Sequence, residues 1–267
     1  MNQFVSRLLV TIVGVPVVLW LVWLGGWWLF GLALFATLVA LHELYVMARG
    51  LRPLVLAGYA GALATLLGAH LGGTEWMLGG FALTLLLAFL LYGIAETRQT
   101  ATVTVSSTVL GTAWIALGIG HLLLLRSIPE HGRLIVFTVL LAVFADDTAA
   151  YMVGRVIGRH KLAPALSPGK TWEGFLAGTA AAVAVAFFAL YEEREEFLSI
   201  WQALVLGGAI ALAGAAGDLF ESALKRDLDV KDSGQLLGGH GGMLDRIDAL
   251  LFAAVASFYV VLAFGYS

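Results

Sequence analysis

Acidic side chains lie at the ends of two neighbouring apolar segments in the C-terminal half of the sequence. Asp218 follows one segment, and Asp245 and Asp248 begin the next. Because Asp245 and Asp248 are three residues apart, they share one face of a helix. If the two segments pack together, these carboxylates converge at one end of both. Oxygen donors in a chain without cysteine indicate Mg²⁺ rather than zinc.

The segment between these acids supplies cations and a glycine-rich stretch. Lys225, Arg226 and Lys231 are followed by Gly238-Gly239-His240-Gly241-Gly242. Glycines let backbone N–H groups approach an anion closely. Acids, a metal, cations and a glycine loop are the components of phosphoryl or nucleotidyl transfer. The alternative is an interfacial loop with solvated charges, and the density of charge favours the chemical interpretation.

A second polar segment begins inside an apolar stretch, at Asp146 and Asp147. Burying an acidic side chain in a membrane is energetically unfavourable, so such residues are usually functional, although an acid near the surface can also reach water. The segment also carries four cations, namely Arg155, Arg159, Lys161 and Lys170. They are candidates for binding a triphosphate or a lipid phosphate, or they only set topology and contact anionic lipids. Asp146, His42 and Glu43 receive no role from the sequence.

The composition shows what must position these residues. The chain has 267 residues, of which 60% are hydrophobic and 12% charged, and its mean hydropathy is +0.92. A chain this apolar cannot cover itself with polar surface, so it requires lipid as its solvent. The net charge of −3 argues against a nucleic-acid partner. We therefore expect an all-α, polytopic bundle integral to the membrane.

A helix needs about 20 apolar residues to cross the bilayer core, and on this basis the sequence predicts about nine transmembrane helices. Their expected bounds are Leu8–Trp23, Trp27–Met47, Leu54–Gly72, Trp76–Ala95, Val103–Leu125, Leu134–Val153, Phe175–Tyr191, Leu198–Gly217 and Ile247–Gly265. No repeat or linker divides the chain, so residues 1–267 are expected to form a single membrane domain. Its catalytic loops would lie near 146–173 and 218–248.

The basic residues predict the orientation. With nine spans, one face carries twelve of the fifteen Lys and Arg residues: Arg7, Arg49, Arg52, Arg98, Arg155, Arg159, Lys161, Lys170, Lys225, Arg226, Lys231 and Arg246. The opposite face carries only Arg126, Arg133 and Arg194. The positive-inside rule places the first face, the N-terminus and both polar loops in the cytoplasm.

The two polar segments resemble the phosphatidate cytidylyltransferase (CDP-diglyceride synthetase) family. The first match comprises Ser222, Lys225-Arg226, Lys231-Asp232, Gly234, His240-Gly241-Gly242, Asp245-Arg246 and Asp248. The second comprises Asp147-Thr-Ala-Ala-Tyr151, Gly154-Arg155 and Ser167-Pro-Gly-Lys-Thr-Trp172. Gly238 and Ala149 depart from the family pattern, which often has proline and glycine there, and this puts the local loop shape in doubt.

This resemblance implies a Mg²⁺-dependent reaction of CTP with phosphatidic acid that yields CDP-diacylglycerol and pyrophosphate. Asp218 and Asp245 would hold the metal, with Asp248 in support and a second cation, K⁺ being the candidate. Phosphate binding would fall to Lys225, Arg226 and Lys170, assisted by Ser222. The other expected substrate-binding residues are Ser167, Asp147, Tyr151, Arg155, Lys231, Asp232, His240, Gly241, Gly242 and Arg246.

The resemblance also implies a homodimer, surrounded by lipid in a bacterial cytoplasmic (inner) membrane, with its active site facing the cytoplasm. Two alternatives stay open at this point. One is another CTP-dependent lipid enzyme with a different acceptor. The other is an ion-coupled transporter that uses Asp146 and Asp147 as a relay, although such proteins usually carry broken helices in paired halves, which this sequence lacks.

Overall fold

The protein is described from a computed structural model, which covers residues 3–95, 99–234 and 241–266, with side chains from Gly14 onward. Helices dominate the described chain. In order they are α1 (Gln3–Leu24), α2 (Gly26–Met47), α3 (Val55–Ile94), α4 (Ala101–Gly111), α5 (Leu117–Ser127), α6 (Gly132–Ile157), α7 (Trp172–Leu190), α8 (Ile200–Asp227) and α9 (Leu244–Ala263). A 3₁₀ turn, Ala48–Leu51, follows α2, and a π-helical turn, Thr112–Ala116, joins α4 to α5.

Seven helical stretches of the described chain are long and apolar enough to cross a membrane, and Gly14–Leu24 is a shorter apolar helix. The protein is therefore an α-helical integral membrane protein, while the count of nine spans stays a prediction. The 40-residue helix α3 covers the expected third and fourth spans. It breaks at Gly73, where φ is 72°, and Gly80 packs directly against the Ala64 carbonyl. The two halves of α3 thus fold back on each other.

The chain divides into two compact units. The first comprises Met1–Leu124 and Asp227–Ile247, and the second comprises Leu125–Arg226 and Asp248–Ser267.

In the first unit, small residues bring α2, α3 and α4 together around Tyr45. This side chain is 3% exposed, and its hydroxyl donates to the Thr108 carbonyl at 2.8 Å. A methyl group on Gly58 of α3 would lie 2.6 Å from the Tyr45 ring, and one on Gly111 of α4 would lie 2.8 Å from Leu41. Small residues at such interfaces let helices approach closely.

In the second unit, α6 and α7 pack along a ridge of small residues. Gly174, Gly178, Ala182 and Ala186 recur every four residues and are all buried. A methyl group on Gly174 would lie 2.6 Å from the Ala150 carbonyl of α6. This repeat allows close backbone contact between two apolar helices, where lipid provides no hydrophobic driving force.

The segment between α6 and α7, expected as a loop, is not purely irregular. It contains an antiparallel hairpin of β1 (Lys161–Ala163) and β2 (Ser167–Thr171). The backbone leaves the helix at Gly158, and prolines at 164 and 168 prevent helix formation beyond it. Thr171 then starts α7, because its hydroxyl accepts a hydrogen bond from the Gly174 N–H at 3.2 Å.

The loop between α8 and α9 begins later than the sequence indicated. Helix α8 continues ten residues beyond the expected end at Gly217, to Asp227. Lys225 and Arg226 in its last turn complement the negative end of the helix dipole. Asp218, Ser222, Lys225 and Arg226 therefore lie on a rigid helix rather than in a loop.

Candidate functional site

One face of α8 carries a column of polar side chains. Asp218, Ser222 and Lys225 lie at positions i, i+4 and i+7, with Glu221 beside them. The Ser222 hydroxyl donates to Asp218 Oδ1 at 3.5 Å, and Lys225 Nζ lies 3.1 Å from Glu221 Oε2. Glu221 is 2% exposed, and its ion pair with Lys225 neutralises its buried charge. Asp218 is less buried and can meet a ligand.

The β-hairpin places Lys170 directly over this column. Lys170 Nζ forms an ion pair with Asp218 Oδ2 at 2.6 Å, and the two side chains are 25% and 34% exposed. The guanidinium Nε of Arg226 donates to the Leu166 carbonyl at 3.5 Å, which ties the turn of the hairpin to the end of α8. Two predicted phosphate-binding cations are thus brought to the same end of α8 as Asp218.

Helix α6 adds two carboxylates. Asp146 is 8% exposed, and it faces Gly178 of α7 so closely that no side chain larger than hydrogen fits at that position. Asp147 is exposed. The charges of both acids interact with those of Asp218 and Lys170. Lys170 is therefore the cation that offsets a concentration of negative charge.

Asp248 of α9 belongs to the same unit and lies 8% exposed. Its backbone carbonyl would lie 2.5 Å from a methyl group on Gly217, so the glycine allows α8 and α9 to touch at this level. Its carboxylate interacts electrostatically with Asp218 and with Asp147. The predicted convergence of carboxylates from α8 and α9 is thus seen for Asp218 and Asp248. For Asp245, which lies in the other unit, it stays a prediction.

The donor chemistry of this cluster suits a hard cation. All its acids offer carboxylate oxygens, and the Lys170 ammonium already occupies a cation position on Asp218. Among the described residues, however, no three His, Asp or Glu side chains close around a common point as metal ligands do. The residues thus suit Mg²⁺ by donor type and charge, while their described positions do not form a closed set of ligands.

In the first unit, the Asp245 carboxylate accepts hydrogen bonds from backbone N–H groups. Its Oδ2 accepts the Gly242 N–H at 2.8 Å, and both its oxygens lie 3.3–3.4 Å from the Ser233 N–H. Gly241 has a φ of +81°, which favours glycine, and a methyl group there would lie 2.9 Å from Asp245 Oδ2. The glycines at 241 and 242 thus fold around the carboxylate.

The remaining predicted residues occupy several places. Tyr151 and Arg155 are exposed on α6, where the guanidinium donates to the hydroxyl at 2.7 Å. Ser167 is half-buried at the start of β2. In the first unit, Lys231, Asp232 and Arg246 are exposed. His240 and Gly238 lie outside the described residues, as does Arg98.

The sequence did not identify two buried acids as parts of these clusters. Glu221 lies three residues after Asp218 and four before Lys225, so helical periodicity would have found it once α8 was known to continue. Glu43 is 2% exposed and contacts residues about 200 positions away. Its only signal in the sequence was a carboxylate inside an apolar span.

Comparison with known proteins gives consistent matches over most of the chain. Residues 5–264 match the model of the Cytidylyltransferase family. A Mycobacterium bovis protein named phosphatidate cytidylyltransferase is 35% identical over 250 residues, covering 85% of this chain and 78% of its own. A Staphylococcus haemolyticus protein of the same name is 32% identical over 251 residues, covering 92% and 94%.

Proposed function

Because the chain belongs to the cytidylyltransferase family, we propose a function on that premise: it is a phosphatidate cytidylyltransferase. This nucleotidyltransferase joins the cytidylyl group of CTP to phosphatidic acid and releases CDP-diacylglycerol and pyrophosphate, a step of phospholipid biosynthesis. The observation that carries the proposal is the match to relatives of this name along most of their length, 78% for Mycobacterium bovis and 94% for Staphylococcus haemolyticus.

In the reaction, an oxygen of the lipid phosphate attacks the α-phosphorus of CTP. A new P–O bond forms, the bond from the α-phosphorus to the bridging oxygen breaks, and pyrophosphate leaves with that electron pair. A phosphate monoester carries most of its second negative charge near neutral pH. The nucleophile therefore needs no strong general base. The main obstacle is repulsion between two anions, so catalysis depends on positioning and on positive charge.

The cations of the second unit supply that positive charge. We assign phosphate binding to Lys170, Lys225 and Arg226, because β2 and the last turns of α8 hold all three. Ser222 is one turn from Asp218 and is assigned to orient it or a phosphate oxygen. On arrival of substrate, Lys170 exchanges its Asp218 carboxylate for a phosphate oxygen.

We propose Mg²⁺ as the cofactor, held by Asp218 and Asp248, with Asp245 as a further candidate ligand and K⁺ as the candidate for a second cation. When bound, the metal would neutralise charge on the triphosphate and polarise its phosphoryl oxygens. Asp218 is suited to the exchange, since its described partners are the side chains of Lys170 and Ser222. Releasing them does not break backbone structure.

The location of the site follows from the distribution of basic residues. Both polar segments fall on the face predicted to be cytoplasmic, so CTP reaches the site from the cytoplasm and phosphatidic acid from the surrounding lipid. The bacterial relatives favour the cytoplasmic (inner) membrane. A homodimer is proposed only from the resemblance of the sequence to its family.

The test is a pyrophosphate-release assay on the purified protein in mixed micelles. CTP, ATP, GTP and UTP are each supplied with phosphatidic acid, and CTP is then supplied with lysophosphatidic acid, an isoprenyl phosphate or no lipid. Release that requires both CTP and phosphatidic acid, and that ceases when Mg²⁺ is chelated, is the expected result. A stronger response to another lipid would identify a different CTP-dependent enzyme.

Variants then test the carboxylates. Asp218→Asn and Asp248→Asn should each lower kcat by at least about 10²-fold, the usual loss when a group that stabilises transition-state charge is removed. The matched control is Asp229→Asn, because Asp229 is exposed and its φ of 53° is one that asparagine adopts readily. Wild-type turnover in Asp218→Asn would contradict the assignment of this cluster.

A further inference from the structure

The strongest feature outside the proposed site is a buried carboxylate on α2, in the first unit. Glu43 is 2% exposed and lies in a helix apolar enough to cross a membrane. An ionised carboxylate in such a place is strongly destabilising unless it is fully hydrogen-bonded. Its partners therefore reveal why it is there.

Both oxygens of Glu43 accept hydrogen bonds from one short segment of chain. Oε1 accepts the Met243 N–H at 3.0 Å, and Oε2 accepts the Leu244 N–H at 2.9 Å. Oε2 also accepts the Ser233 hydroxyl at 3.3 Å. Charge-assisted bonds to backbone N–H groups are roughly twice as strong as neutral ones. These N–H donors belong to the residue before α9 and to its first residue, where the helix dipole also favours a negative charge.

The glycines around this carboxylate leave the space that it occupies, because they have no side chain. A methyl group on Gly234 would lie 2.6 Å from Glu43 Oε1, and one on Gly242 would lie 2.5 Å from Oε2. Glu43 thus contacts both sides of the glycine-rich segment, at Ser233–Gly234 and at Gly242–Leu244. Asp245 ties the same two sides through the Ser233 and Gly242 N–H groups.

We propose that Glu43 is a positioning residue for the reaction: it clamps the two ends of the glycine-rich segment together and fixes the first turn of α9. That turn carries Asp245 and leads to Asp248. The proposal rests on the proposed function for its catalytic consequence, but the clamp itself is a property of the free protein. Glu43 is not assigned a contact with substrate.

Glu43→Gln is the most informative change. Both carboxylate oxygens face backbone N–H groups, so a glutamine must turn its own NH₂ toward one of these donors. Exchange of backbone amides with deuterium should then become about 10- to 100-fold faster in peptides covering 241–247, as expected for losing a hydrogen bond to a charged group. Peptides from α6 and α7 should exchange at the wild-type rate. The matched control is Glu75→Gln, because Glu75 is an exposed glutamate of the same unit.

The catalytic consequence is measured as separate kcat and KM values. Since a misplacement of about 1 Å can reduce a rate about 10²-fold, kcat should fall by that order while KM for CTP changes less. Glu43→Asp keeps the charge and should recover part of both readouts. Ser233→Ala removes only the hydroxyl donor to Glu43 and should show a smaller increase in amide exchange. It provides the test if Glu43→Gln does not fold.

Several outcomes would overturn the proposal. They are unchanged exchange at 241–247 in Glu43→Gln and in Ser233→Ala, or a wild-type kcat despite faster exchange. A uniform increase in exchange over all peptides would also overturn it, since that result indicates only general destabilisation. Exchange is measured without substrate, so it tests the clamp independently of the reaction. If the exchange results support the clamp but the wild-type protein does not consume CTP, only the proposed function is contradicted.

Discussion

The ion pair between Lys170 and Asp218 allows the sharpest test of the cluster in the second unit. Replacing Lys170 with methionine keeps the length and apolar stem of the side chain but removes its charge. Asp218 then loses its cation partner at 2.6 Å, and the neighbouring acids of α6 lose the charge that offsets them. Stability and catalysis should both decrease, for different reasons.

The loss of stability can be bounded from the exposure of the pair. Exposed ion pairs contribute about 0.2–1 kcal/mol, whereas breaking a fully buried pair costs about 3–5 kcal/mol. Lys170 and Asp218 are 25% and 34% exposed, so the interaction is partly screened by solvent. A cost of about 1–2 kcal/mol is expected, which lowers the unfolding temperature by about 2–8 °C, at about 2–4 °C per kcal/mol.

The loss of activity should be larger. If Lys170 transfers from Asp218 to a phosphate of the substrate, its removal withdraws one cation from the developing charge. Such losses typically reduce kcat about 10²- to 10³-fold. Lys170→Arg keeps the charge and should restore stability almost fully and activity in part, because a guanidinium is longer and planar.

The assay combines pyrophosphate release with thermal unfolding of the detergent-solubilised protein. Lys161→Met controls the stability measurement, because Lys161 is an exposed lysine in the other strand of the same hairpin. A Lys170→Met protein with wild-type unfolding temperature and wild-type kcat/KM would refute the reasoning. Loss of stability with normal turnover would leave the ion pair structural and remove Lys170 from phosphate binding.

Two further changes test how α7 is held. Thr171→Ala removes the hydrogen bond from the Gly174 N–H at the start of α7 and should cost about 1 kcal/mol, measured as a lower unfolding temperature, whereas Thr171→Ser should cost less. Gly178→Ala inserts a methyl group against a carboxylate of α6 and should cost about 1–3 kcal/mol. Gly208→Ala, with open space around the added methyl group, should have no such effect, and equal stability of the two alanine variants would contradict the packing argument.

Much of this architecture is readable in the sequence because lipid imposes simple rules on it. Apolar length predicted the helices and placed Asp245 and Asp248 at the beginning of the last one, and their spacing of three residues predicted that they share a helix face. The continuation of α8 to Asp227 was missed because charged residues were taken as the end of the apolar span. Helix formation does not stop at the membrane boundary, and Asp218, Glu221 and Lys225 keep helical spacing beyond it.

Other features had no local signal. The hairpin has strands of three and five residues with little apolar alternation, so period-two patterning could not reveal it. The sequence likewise showed Glu43 as an isolated acid in an apolar helix. Its partners, Met243 and Leu244, are about 200 residues away, and only tertiary structure brings them together.

Asp245 has two candidate roles, as a metal ligand and as a structural hydrogen-bond acceptor, and two substitutions can distinguish them. Its Oδ2 is the oxygen nearest to both the Gly242 and the Ser233 N–H groups, at 2.8 and 3.3 Å. An asparagine can place its one carbonyl oxygen there, so it keeps the backbone contacts while losing the negative charge. Asp245→Ala loses both.

If Asp245 contributes charge to a metal site, Asp245→Asn should retain wild-type amide protection at 241–247 but lose kcat by at least about 10²-fold. Asp245→Ala should lose the activity and the protection together. If instead Asp245→Asn turns over normally, the carboxylate acts only as a cap on the glycine-rich segment. The metal would then depend on Asp218 and Asp248, because a neutral amide cannot replace the charge that a carboxylate gives to Mg²⁺.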